Sequence, residues 1–578
     1  MDAAAVWLRL ELFELGLLHV PIKSTSISTL CDVTKALDCL TGCHNDDQDV
    51  NMTPESEDSK GDNAQPQAIN FSTWKSVVKE HLEWPEKDYT AFWLLLVYFH
   101  RNIPAWEATE KVVLTEERCL SVEVVPTHRI TMFLFVQASR FQASKTKATL
   151  DSFNTKWCRD FSSVGLDKTS TTQSPSGGAS PVLLSPHTKA MQDRATLDDY
   201  YLSFVRNNLE ILFQLIFPRL EMKSESENHI HTDQVDQLGF LISFGAGKYE
   251  PLSKAYRLWR TDTHGNKVEN PYRVCEFLKS SMGLNTNLYP AVDFSLVENV
   301  SLYRVAPNDS CIYHQPIVIS NVSKSTIIRH LDASSEDWNE SDLVIHACHD
   351  TYIYILGCIR HVFVIACSNC KIITAPNRGV YSMDRCDNVY FTIASGLVRV
   401  SNCLDVTINA YTLAPIIMTG ENLGIVLGPH NTKYPTQKCN IEARRLINNP
   451  SSSGEWSRFI NLESEQDNVP DTENSGNFAK PAITLQNPHD FLVVTIPIIA
   501  NELKLEFPFP LPIKFREALS NQVEEVEKFR KMICDEEFDT ATKRSLEHVI
   551  QNRFKEWLSA TGNARQILDL VHIEKTKS

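Results

Sequence analysis

A series of cysteines near the middle of the chain recurs at an almost constant spacing. Its members are Cys348, Cys367, Cys386 and Cys403, with Gly420 as the last. The spacings are 19, 19, 17 and 17 residues. Thiolates bind zinc, and the pair Cys367 and Cys370 has the separation found in one half of a structural zinc site. No second pair follows at comparable spacing, so we expect no metal and interpret the cysteines as small core residues.

The redox environment is indicated by the total number of cysteines. The chain holds 15 of them, an odd number, and shows no secretory signal. We therefore expect a reducing compartment, in which disulfide bonds do not persist. No motif indicates a cofactor, because the segment 239–245 lacks the Gly-Lys-Ser ending of a phosphate-binding loop.

Other residue types repeat in step with the cysteines. Two positions after each member comes an Asp or Asn: Asp350, Asn369, Asn388, Asp405 and Asn422. Five positions after comes an apolar residue: Ile353, Ile372, Phe391, Ile408 and Ile425. Three positions before comes another: Ile345, Val364, Met383, Val400 and Ile417. A fixed period of this length indicates stacked supersecondary units.

Each unit has the pattern of two strands joined by a tight corner. In the third unit, Val389, Phe391 and Ile393 alternate with Tyr390 and Thr392, which is typical of a half-buried strand. The Asp or Asn suits the corner, because these residues tolerate the left-handed conformation. Equivalent strands of successive units then lie in parallel, roughly 4.8 Å apart, around an apolar interior.

The predicted fold class is mixed α and β. Its centre is a right-handed parallel β-helix of short coils, and helical regions with disordered linkers flank it on both sides. Residues 318–328 and 343–345 look like an irregular first coil, which the acidic loop 332–342 interrupts. Helices after a β-helix often cap its open end, where strand edges are otherwise unpaired.

The predicted organisation divides the chain into eight segments. These are a helical segment at 1–44, an acidic disordered linker at 45–67, a helical region at 68–161, a disordered linker at 162–195, a helical region at 196–289, the β-helix at 290–435, a disordered linker at 448–482, and a strand with C-terminal helices at 490–578. Within the first, Trp7, Leu10, Phe13 and Leu17 have helical spacing. Residues 491–499 are predicted as an isolated strand.

Composition excludes two classes of partner. The net charge is −16, and a nucleic-acid-binding protein needs a basic surface, so we expect no nucleic acid. No apolar stretch approaches the roughly 20 residues of a membrane span. The most apolar run, 92–99, is followed by His100 and Arg101, and we interpret it as a buried helix. We expect no membrane insertion.

Residues 290–435 resemble the cofactor C-like (C-CAP) family. Five runs carry the resemblance: Cys-Ser-Asn-Cys-Lys-Ile-Ile at 367–373, Arg-Cys-Asp-Asn-Val at 385–389, Val-Arg-Val-Ser-Asn-Cys at 398–403, Ala-Pro-Ile-Ile at 414–417 and Gly-Pro-His-Asn-Thr-Lys-Tyr-Pro at 428–435. The family includes tubulin-folding cofactor C, an activator of an Arf-like GTPase linked to retinitis pigmentosa, and cyclase-associated proteins. The resemblance covers about a quarter of the chain.

The resemblance implies a cytoplasmic protein of the cytoskeleton at the centrosome, a microtubule-organising centre, and at spindle poles. It implies a role in centrosome and Golgi positioning, cell shape and cell migration. The implied partners are proteins, with tubulin, a small Arf-like GTPase and centrosomal proteins as candidates.

One arginine is singled out by the same resemblance. In GTPase-activating members, a Gln-Gln-x-Arg run places an arginine finger on the outer wall of the β-helix. Counting back from Cys403, the matching residue is Arg399, while Gly396 and Leu397 replace the two glutamines. Because these amides are missing, we favour a protein that is not an enzyme. The alternative is a GTPase activator for tubulin or an Arf-like GTPase, with Arg399 stabilising transition-state charge.

The alternation of side chains also points Arg399 outward, because Val398 and Val400 point inward. Its predicted neighbours in the adjacent coils are Val344, Phe363, Ser382 and Ile416. A mostly apolar row around one cation is typical of the centre of a protein interface. The row is therefore predicted to bind a protein partner.

Some parallel β-helix proteins are enzymes that cleave polysaccharides, which is a third possible function. That chemistry needs clustered carboxylates on one outward strip. Asp384 and Asp387 lie at a corner, and the sequence shows no acidic ladder from coil to coil. Polysaccharide cleavage is therefore not predicted.

Overall fold

The chain forms two compact units. The computed structural model describes residues 6–18, 27–42, 67–102, 112–145, 186–224, 228–245, 250–263, 265–285, 288–289, 316–330, 341–357, 359–447, 451–463, 482–496, 506–535 and 539–560. Of these, the N-terminal unit comprises those in Met1–Thr109 and Glu117–Asp293. The C-terminal unit comprises those in Glu110–Glu116 and His314–Ser578.

The N-terminal unit is mainly helical, with short strands between the helices. Its helices are α1 (Glu11–Glu14), α2 (Ile27–Gly42), α3 (Phe71–His81), α4 (Glu86–Asn102), α5 (Glu116–Ser121), α6 (Thr127–Lys145), α7 (Pro186–Ile216), α8 (Thr232–Gln237) and α9 (Pro271–Ser281). Its strands are β1 (Val6–Leu8), β2 (Ala68–Asn70), β3 (Val124–Pro126), β4 (Ile230–His231), β5 (Ile242–Phe244), β6 (Arg260–Thr261), β7 (Lys267–Glu269) and β8 (Met282–Gly283). Two 3-10 turns lie at Leu238–Phe240 and Leu252–Ala255.

Helix ends in this unit follow local capping chemistry. The Asn70 side chain accepts a hydrogen bond from the Thr73 backbone N–H at 3.0 Å, which satisfies an otherwise unpaired donor at the start of α3. At the start of α9, Asn270 caps the Tyr272 N–H at 2.9 Å, and Pro271 occupies the first helical turn. Both helices therefore begin where the sequence supplies an asparagine.

The core of the N-terminal unit is rich in aromatic side chains. Helix α4 buries every residue from 91 to 99, which confirms the prediction of a buried helix there. The rings of Trp74 and Phe92 stack with centroids 4.8 Å apart. None of the described helices is both long and apolar enough to cross a membrane.

Two sequence predictions are corrected in this unit. Trp7 lies in strand β1 rather than in a helix, because β1 pairs with β5 on one side and with β8 on the other. Helix α7 begins at Pro186, inside the predicted linker 162–195. The predicted linker 45–67 lies outside the described residues except for its last position.

The C-terminal unit is built around one sheet of 13 parallel-paired strands that coils on itself. Its strands are β9 (Ile317–Ser320), β10 (Thr326–His330), β11 (Leu343–His346), β12 (Tyr352–Leu356), β13 (Val362–Ile365), β14 (Lys371–Thr374), β15 (Asn377–Asp384), β16 (Tyr390–Ser401), β17 (Thr407–Thr412), β18 (Ile416–Thr419), β19 (Ile425–Pro429), β20 (Thr432–Lys433), β21 (Phe459–Asn461), β22 (Ile483–Leu485) and β23 (Val494–Thr495). Its helices are α10 (Gln437–Ala443), α11 (Ile513–Asp535) and α12 (Thr540–Ala560), with a 3-10 turn at Pro488–Asp490.

The strands form two faces with a corner between them. The first face contains, in order, β9, β11, β13, β15, the end of β16, β18 and β21. The second face contains β10, β12, β14, the start of β16, β17, β19 and β22. Every pairing is parallel, and consecutive strands of the chain alternate between the faces. The predicted parallel β-helix is confirmed.

The corner repeats a fixed backbone geometry. Left-handed φ angles recur at the residue before each cysteine, in Ala347, Ala366, Arg385 and Asn402, with values from 51° to 53°. They recur again at Asp350, Asn369, Asn388 and Asp405, with values from 47° to 51°. Two left-handed residues in each corner turn the chain from one face to the next. The predicted role of Asp and Asn at the second position is confirmed for these four residues, whereas in the last corner Gly424, at φ 69°, takes the position predicted for Asn422.

The interior holds the predicted apolar rows. Ile353, Ile372, Phe391 and Ile408 are fully buried and lie side by side on the second face. The four repeated cysteines belong to the same core cluster. They therefore lie among apolar side chains, as the interpretation of them as core residues predicts.

The last coil departs from the predicted register. Ser401 pairs with Thr419 and Leu404 with Leu423, so this corner holds one residue more than the corner before it. Gly420, at φ 67°, takes the left-handed position of Asn402 rather than the position of a cysteine. Equating Gly420 with the cysteines was therefore wrong.

Both strands beside that corner are displaced from the predicted register. Met418 pairs with Val400, where Ile417 was expected. Leu427 pairs with Ile408, where Ile425 was expected, although Ile425 is also buried in the core. Relative to the predicted register, β18 is displaced by one residue and β19 by two residues.

The β-helix also extends beyond the predicted boundary at residue 435. Strand β21 pairs with β18, and β22 pairs with β19, so each face gains a further strand from the predicted linker 448–482. Strand β23 is not isolated, because it pairs with β20. The sequences of β21, β22 and β23 do not repeat the pattern of the earlier coils, so periodicity could not predict these strands.

The end of the coil is closed by side chains from later segments. The ring of Phe515, in the first turn of α11, packs edge-on against Trp456 at 5.6 Å and Phe491 at 5.2 Å. All three belong to the interior core cluster. The start of α11 therefore caps the open end of the β-helix, where strand edges are otherwise exposed.

Candidate functional site

The row around Arg399 lies on the outward side of the first face. Val344, Phe363, Ser382 and Arg399 pair one with the next through four consecutive strands, β11, β13, β15 and β16. We call these four residues the outer row. Their neighbours in sequence on both sides belong to the interior core, so the outer row faces away from it.

One predicted member is not in the row. Arg399 pairs with Ile417 of β18, whereas Ile416 is fully buried in the interior core. The difference of one residue arises because Gly420 occupies the position of Asn402 rather than that of Cys403. The apolar neighbour of Arg399 in the next coil is therefore Ile417.

The outer row is closed off from solvent. Val344 is 6% exposed, Phe363 and Ser382 are 5% exposed, and Arg399 is 7% exposed. In the predicted positions of the two glutamines stand Gly396 and a fully buried Leu397, so no side-chain amide accompanies the guanidinium there. The row has an apolar and cationic character, but it is not an open surface in this conformation.

A charged cluster that the sequence did not reveal lies at the start of the β-helix. The Arg360 guanidinium donates to both carboxylate oxygens of Asp342, at 2.8 and 2.7 Å, and the His361 backbone N–H donates to the same carboxylate at 3.2 Å. Burial acts to raise the pKa of Asp342, but the charge and hydrogen bonds of Arg360 lower it below its usual value. Asp342 and Arg360 are 18 residues apart in sequence, which is about one coil. This spacing could have predicted that the two side chains lie next to each other.

Aromatic, apolar and basic side chains beside the second face contact a later segment of the chain. They are Tyr411, Leu413, His430, Lys433, Ile441 and Leu446, which we call the aromatic groove. Burial lowers the pKa of His430 to about 3, so its ring is neutral at physiological pH. Burial also lowers the pKa of Lys433.

A proline-rich segment fills this groove. Residues 507–512 read Phe-Pro-Phe-Pro-Leu-Pro, and we call them the proline strap. The ring of Phe509 stacks on Tyr411 with centroids 3.7 Å apart and an interplanar angle of 7°. Lys433 Nζ lies 3.8 Å from the centroid of the Phe507 ring. The alternation of aromatic or aliphatic residues with proline was the sequence signal that would have indicated the strap.

The two C-terminal helices expose large apolar side chains. In α11 these are Ile513, Val523, Val526 and Phe529, and in α12 they are Val549, Ile550, Phe554 and Trp557, with exposed fractions from 41% to 64%. Helix α12 buries none of its described residues. The rings of Phe554 and Trp557 stack on each other at 5.9 Å. Surface exposure on this scale is typical of an interaction site.

Metal chemistry finds no support in the described part of the chain. Among those residues, no group of three or more His, Cys, Asp or Glu side chains is arranged to hold a metal ion.

The β-helix is similar to a known family of proteins. Residues 340–458 match the sequence model of the family described as Tubulin binding cofactor C. The match spans β11 to β20, α10 and the outer row, and it ends next to β21. The predicted resemblance to cofactor C-like proteins is confirmed.

The chain is also similar to particular proteins over more of its length. It is 23% identical over 397 residues to TBCC domain-containing protein 1 of Danio rerio, which covers 64% of each chain. It is 23% identical over 492 residues to the protein of the same name from Mus musculus, covering 80% of this chain and 81% of that one. The chain thus spans slightly less than two thirds of the Danio rerio protein.

One solved structure is similar as well. It is Tubulin Binding Cofactor C from Leishmania major, at 14% sequence identity and a TM-score of 0.22. The likeness covers 26% of this chain and 90% of that one.

Proposed function

We propose that this chain is a non-enzymatic protein of the cytoskeleton that acts by binding other proteins. In this proposal it works in the cytoplasm, at the centrosome and spindle pole, and regulates centrosome and Golgi positioning, cell shape and cell migration. Its candidate partners are tubulin, a small Arf-like GTPase and centrosomal proteins. The similarity to the Tubulin binding cofactor C family supports a cytoskeletal role.

The observation that carries the binding role is the apolar face of α12. Ile550, Phe554 and Trp557 follow one another at intervals of four and three residues, so they share one side of the helix. Ile550 is 41% exposed, and both aromatic side chains are at least half exposed. A face of this kind fits the apolar stripe of a partner helix.

The charges of α12 indicate the chemistry of that partner helix. The helix carries four cations and two carboxylates: Lys543, Arg544, Arg553 and Lys555 against Glu547 and Glu556. A partner helix with acidic residues beside its apolar stripe complements this surface. We therefore propose an acidic, α-helical protein segment as its occupant.

The outer row is a second proposed binding surface. Its four side chains are held in register by parallel strands, so their spacing is fixed before any partner arrives. Because all four are at most 7% exposed, a partner contacts them only in a conformation that uncovers the row. The outer row and α12 are therefore separate proposed surfaces, and each is tested with its own variant.

Proximity labelling in cells tests both surfaces. The Ile550→Asp/Phe554→Asp variant should lose neighbours that wild type labels, because charges enter the apolar face of α12. Asn552→Asp is the matched control, since it adds a charge on the exposed opposite side of the same helix. An unchanged neighbour list for the double variant would refute α12 as a docking site.

Phe363→Asp tests the outer row in the same experiment, with Phe391→Ala as a control that weakens the interior core instead. Neighbours lost with Phe363→Asp but kept with Phe391→Ala would locate binding on the row. Equal losses in both variants would show that only stability had changed.

The alternative function is GTPase activation through Arg399. A finger must reach the phosphates of a bound nucleotide, and removing one costs on the order of a thousandfold in rate. GTP turnover by tubulin or an Arf-like GTPase is measured with wild type and with Arg399→Ala. Equal rates exclude activation, and a large loss with Arg399→Ala would overturn the non-enzymatic proposal.

A further inference from the structure

We propose that the aromatic groove is a binding site for extended peptides in which aromatic residues alternate with proline, and that the proline strap occupies it in competition with such a partner. The strap supplies the evidence for the chemistry of the ligand, because it is already seated there. The proposal is independent of which cytoskeletal protein binds elsewhere on the chain.

The groove recognises a flat ring from two directions. Tyr411 stacks face to face on Phe509, and the His430 ring meets Phe509 edge-on, with centroids 5.2 Å apart and planes at 75°. Phe509 is only 4% exposed as a result. Stacked and edge-on contacts favour an aromatic side chain over an aliphatic one of similar size.

A second contact selects the residue two positions earlier. The Lys433 ammonium lies over the ring of Phe507, which is a cation–π arrangement. Burial lowers the pKa of Lys433, so its charge is poorly hydrated and is satisfied in part by the ring. The groove therefore binds two aromatic rings whose residues are separated by one position in sequence.

The strap is attached by side chains rather than by its backbone. Among the described residues, no backbone hydrogen bond joins 506–511 to another segment. The preceding described segment, 482–496, is held instead by backbone bonds such as Val494 N–H to the Asn431 carbonyl at 2.9 Å. Prolines 508, 510 and 512 have no N–H to donate. Exchange of the strap for another peptide therefore breaks no strand ladder.

Only the two rings of the strap need to leave the groove. Leu511 packs against the interior core cluster, and Phe515 holds the first turn of α11 against Trp456 and Phe491 at the end of the coil. Phe507 and Phe509 can leave the groove while these contacts keep Leu511 and α11 in place. Proline-rich segments are largely extended before they bind, so a competing peptide pays little ordering entropy.

Because the strap is part of the same chain, it lowers the apparent affinity of the groove for a free peptide. A segment linked through a short chain acts as a ligand at an effective concentration of about millimolar. It therefore suppresses binding of a free peptide to the closed protein. Removing the two rings of the strap should relieve that suppression.

A labelled peptide of residues 506–513 tests the proposal on the full chain. Binding is measured by fluorescence anisotropy to wild type and to Phe507→Ala/Phe509→Ala. We expect the double variant to bind at least about tenfold more tightly, since its own strap no longer competes. Equal or weaker binding by a double variant that unfolds at the wild-type temperature would overturn the proposal.

A second measurement uses wild type alone and so does not depend on the folding of a variant. The Phe509 ring, which stacks on Tyr411 in the closed protein, carries a 19F label and is followed by NMR with and without saturating peptide. Its signal should move toward that of a solvent-exposed ring with the peptide and stay in place with a control peptide in which both Phe residues are Ala. No movement with the native peptide would refute exchange of the strap.

The location of the peptide is tested by adding Tyr411→Ala to the double variant. This substitution removes the ring on which Phe509 stacks. Loss of peptide binding would support the groove as the site. Retained affinity would show that the peptide binds elsewhere and would overturn the proposal.

Discussion

The carboxylate of Asp342 and the guanidinium of Arg360 form a two-pronged ion pair between neighbouring coils of the β-helix. Both side chains are mostly buried, with 16% and 10% exposed. Because the two residues lie 18 positions apart, one coil places them side by side. The pair joins β11 to the segment that leads into β13.

We predict that Asp342→Asn lowers the free energy of unfolding of the C-terminal unit by about 3 kcal/mol. The substitution leaves the Arg360 charge in a largely buried position without its carboxylate, and breaking such pairs is strongly destabilising. Urea unfolding followed by circular dichroism measures the effect. The control is Arg385→Gln, which removes a more exposed pair with Asp384 and should cost less than about 1 kcal/mol. Equal costs would contradict the prediction.

Stability should fall as the pH drops below about 6.5 because four histidines are buried in the neutral form. Burial lowers the pKa of His361 to about 4, and the pKa values of His100, His128 and His430 to about 3. The unfolded chain takes up these protons near pH 6.5, while the folded chain does not. Each histidine then costs about 1.4 kcal/mol per pH unit below 6.5, until its folded pKa is reached.

Thermal unfolding at pH 7.5 and pH 5.5 tests this expectation. His361→Gln and His430→Gln should each reduce the difference between the two pH values for the C-terminal unit. A difference that stays the same in both variants would show that other groups control the acid sensitivity.

Gly424→Ala should destabilise the C-terminal unit for two separate reasons. Gly424 has φ 69°, and a Cβ there would clash with Asp405 Oδ1. Gly265 has a similar φ of 84° but nothing within 4 Å of the added atom. Gly265→Ala should therefore cost only the backbone strain of about 1–2 kcal/mol, and Gly424→Ala should cost more. Denaturant unfolding of each variant provides the comparison, and a smaller cost at Gly424 would contradict it.

The repeated cysteines should be protected from alkylation in the native protein. Burial raises the pKa of the Cys367 and Cys386 thiols well above its ordinary value, and both are almost completely inaccessible. Cys439 is exposed. Mass spectrometry after iodoacetamide treatment should find Cys439 modified at least about a hundredfold faster than the two core thiols, because they react only through unfolding. Comparable rates would argue against a closed core.

The β-helix was predictable wherever sequence period and structural period agree. The corner residues from Asp350 to Asp405 and the inward row from Ile353 to Ile408 repeat with little variation, so alternation alone gave their orientation. The agreement ends at Gly420, which occupies the position of Asn402 rather than that of Cys403. A register difference of one residue reverses which side of a strand faces the core, so Ile416 faces the core and Ile417 does not.

Other features depend on contacts that no local pattern contains. Alternation gave the outward direction of Phe363 but not its burial, because burial also depends on what covers a face. Strands β21 and β22 are three residues long each and follow long insertions, so periodicity could not find them. Trp7 has helical spacing to its neighbours, yet pairing with two strands far along the chain determined its conformation.

Neither unit is one continuous stretch of polypeptide. Residues 110–116 belong to the C-terminal unit, where the Glu116 backbone N–H bonds to the Leu413 carbonyl and its carboxylate pairs with Arg458. A fragment expressed from residue 290 onward would lack this piece, and adding it back as a separate peptide is a natural complementation assay. During translation the piece leaves the ribosome some 340 residues before Arg458, so Glu116 has no ion-pair partner until most of the C-terminal unit has been synthesised.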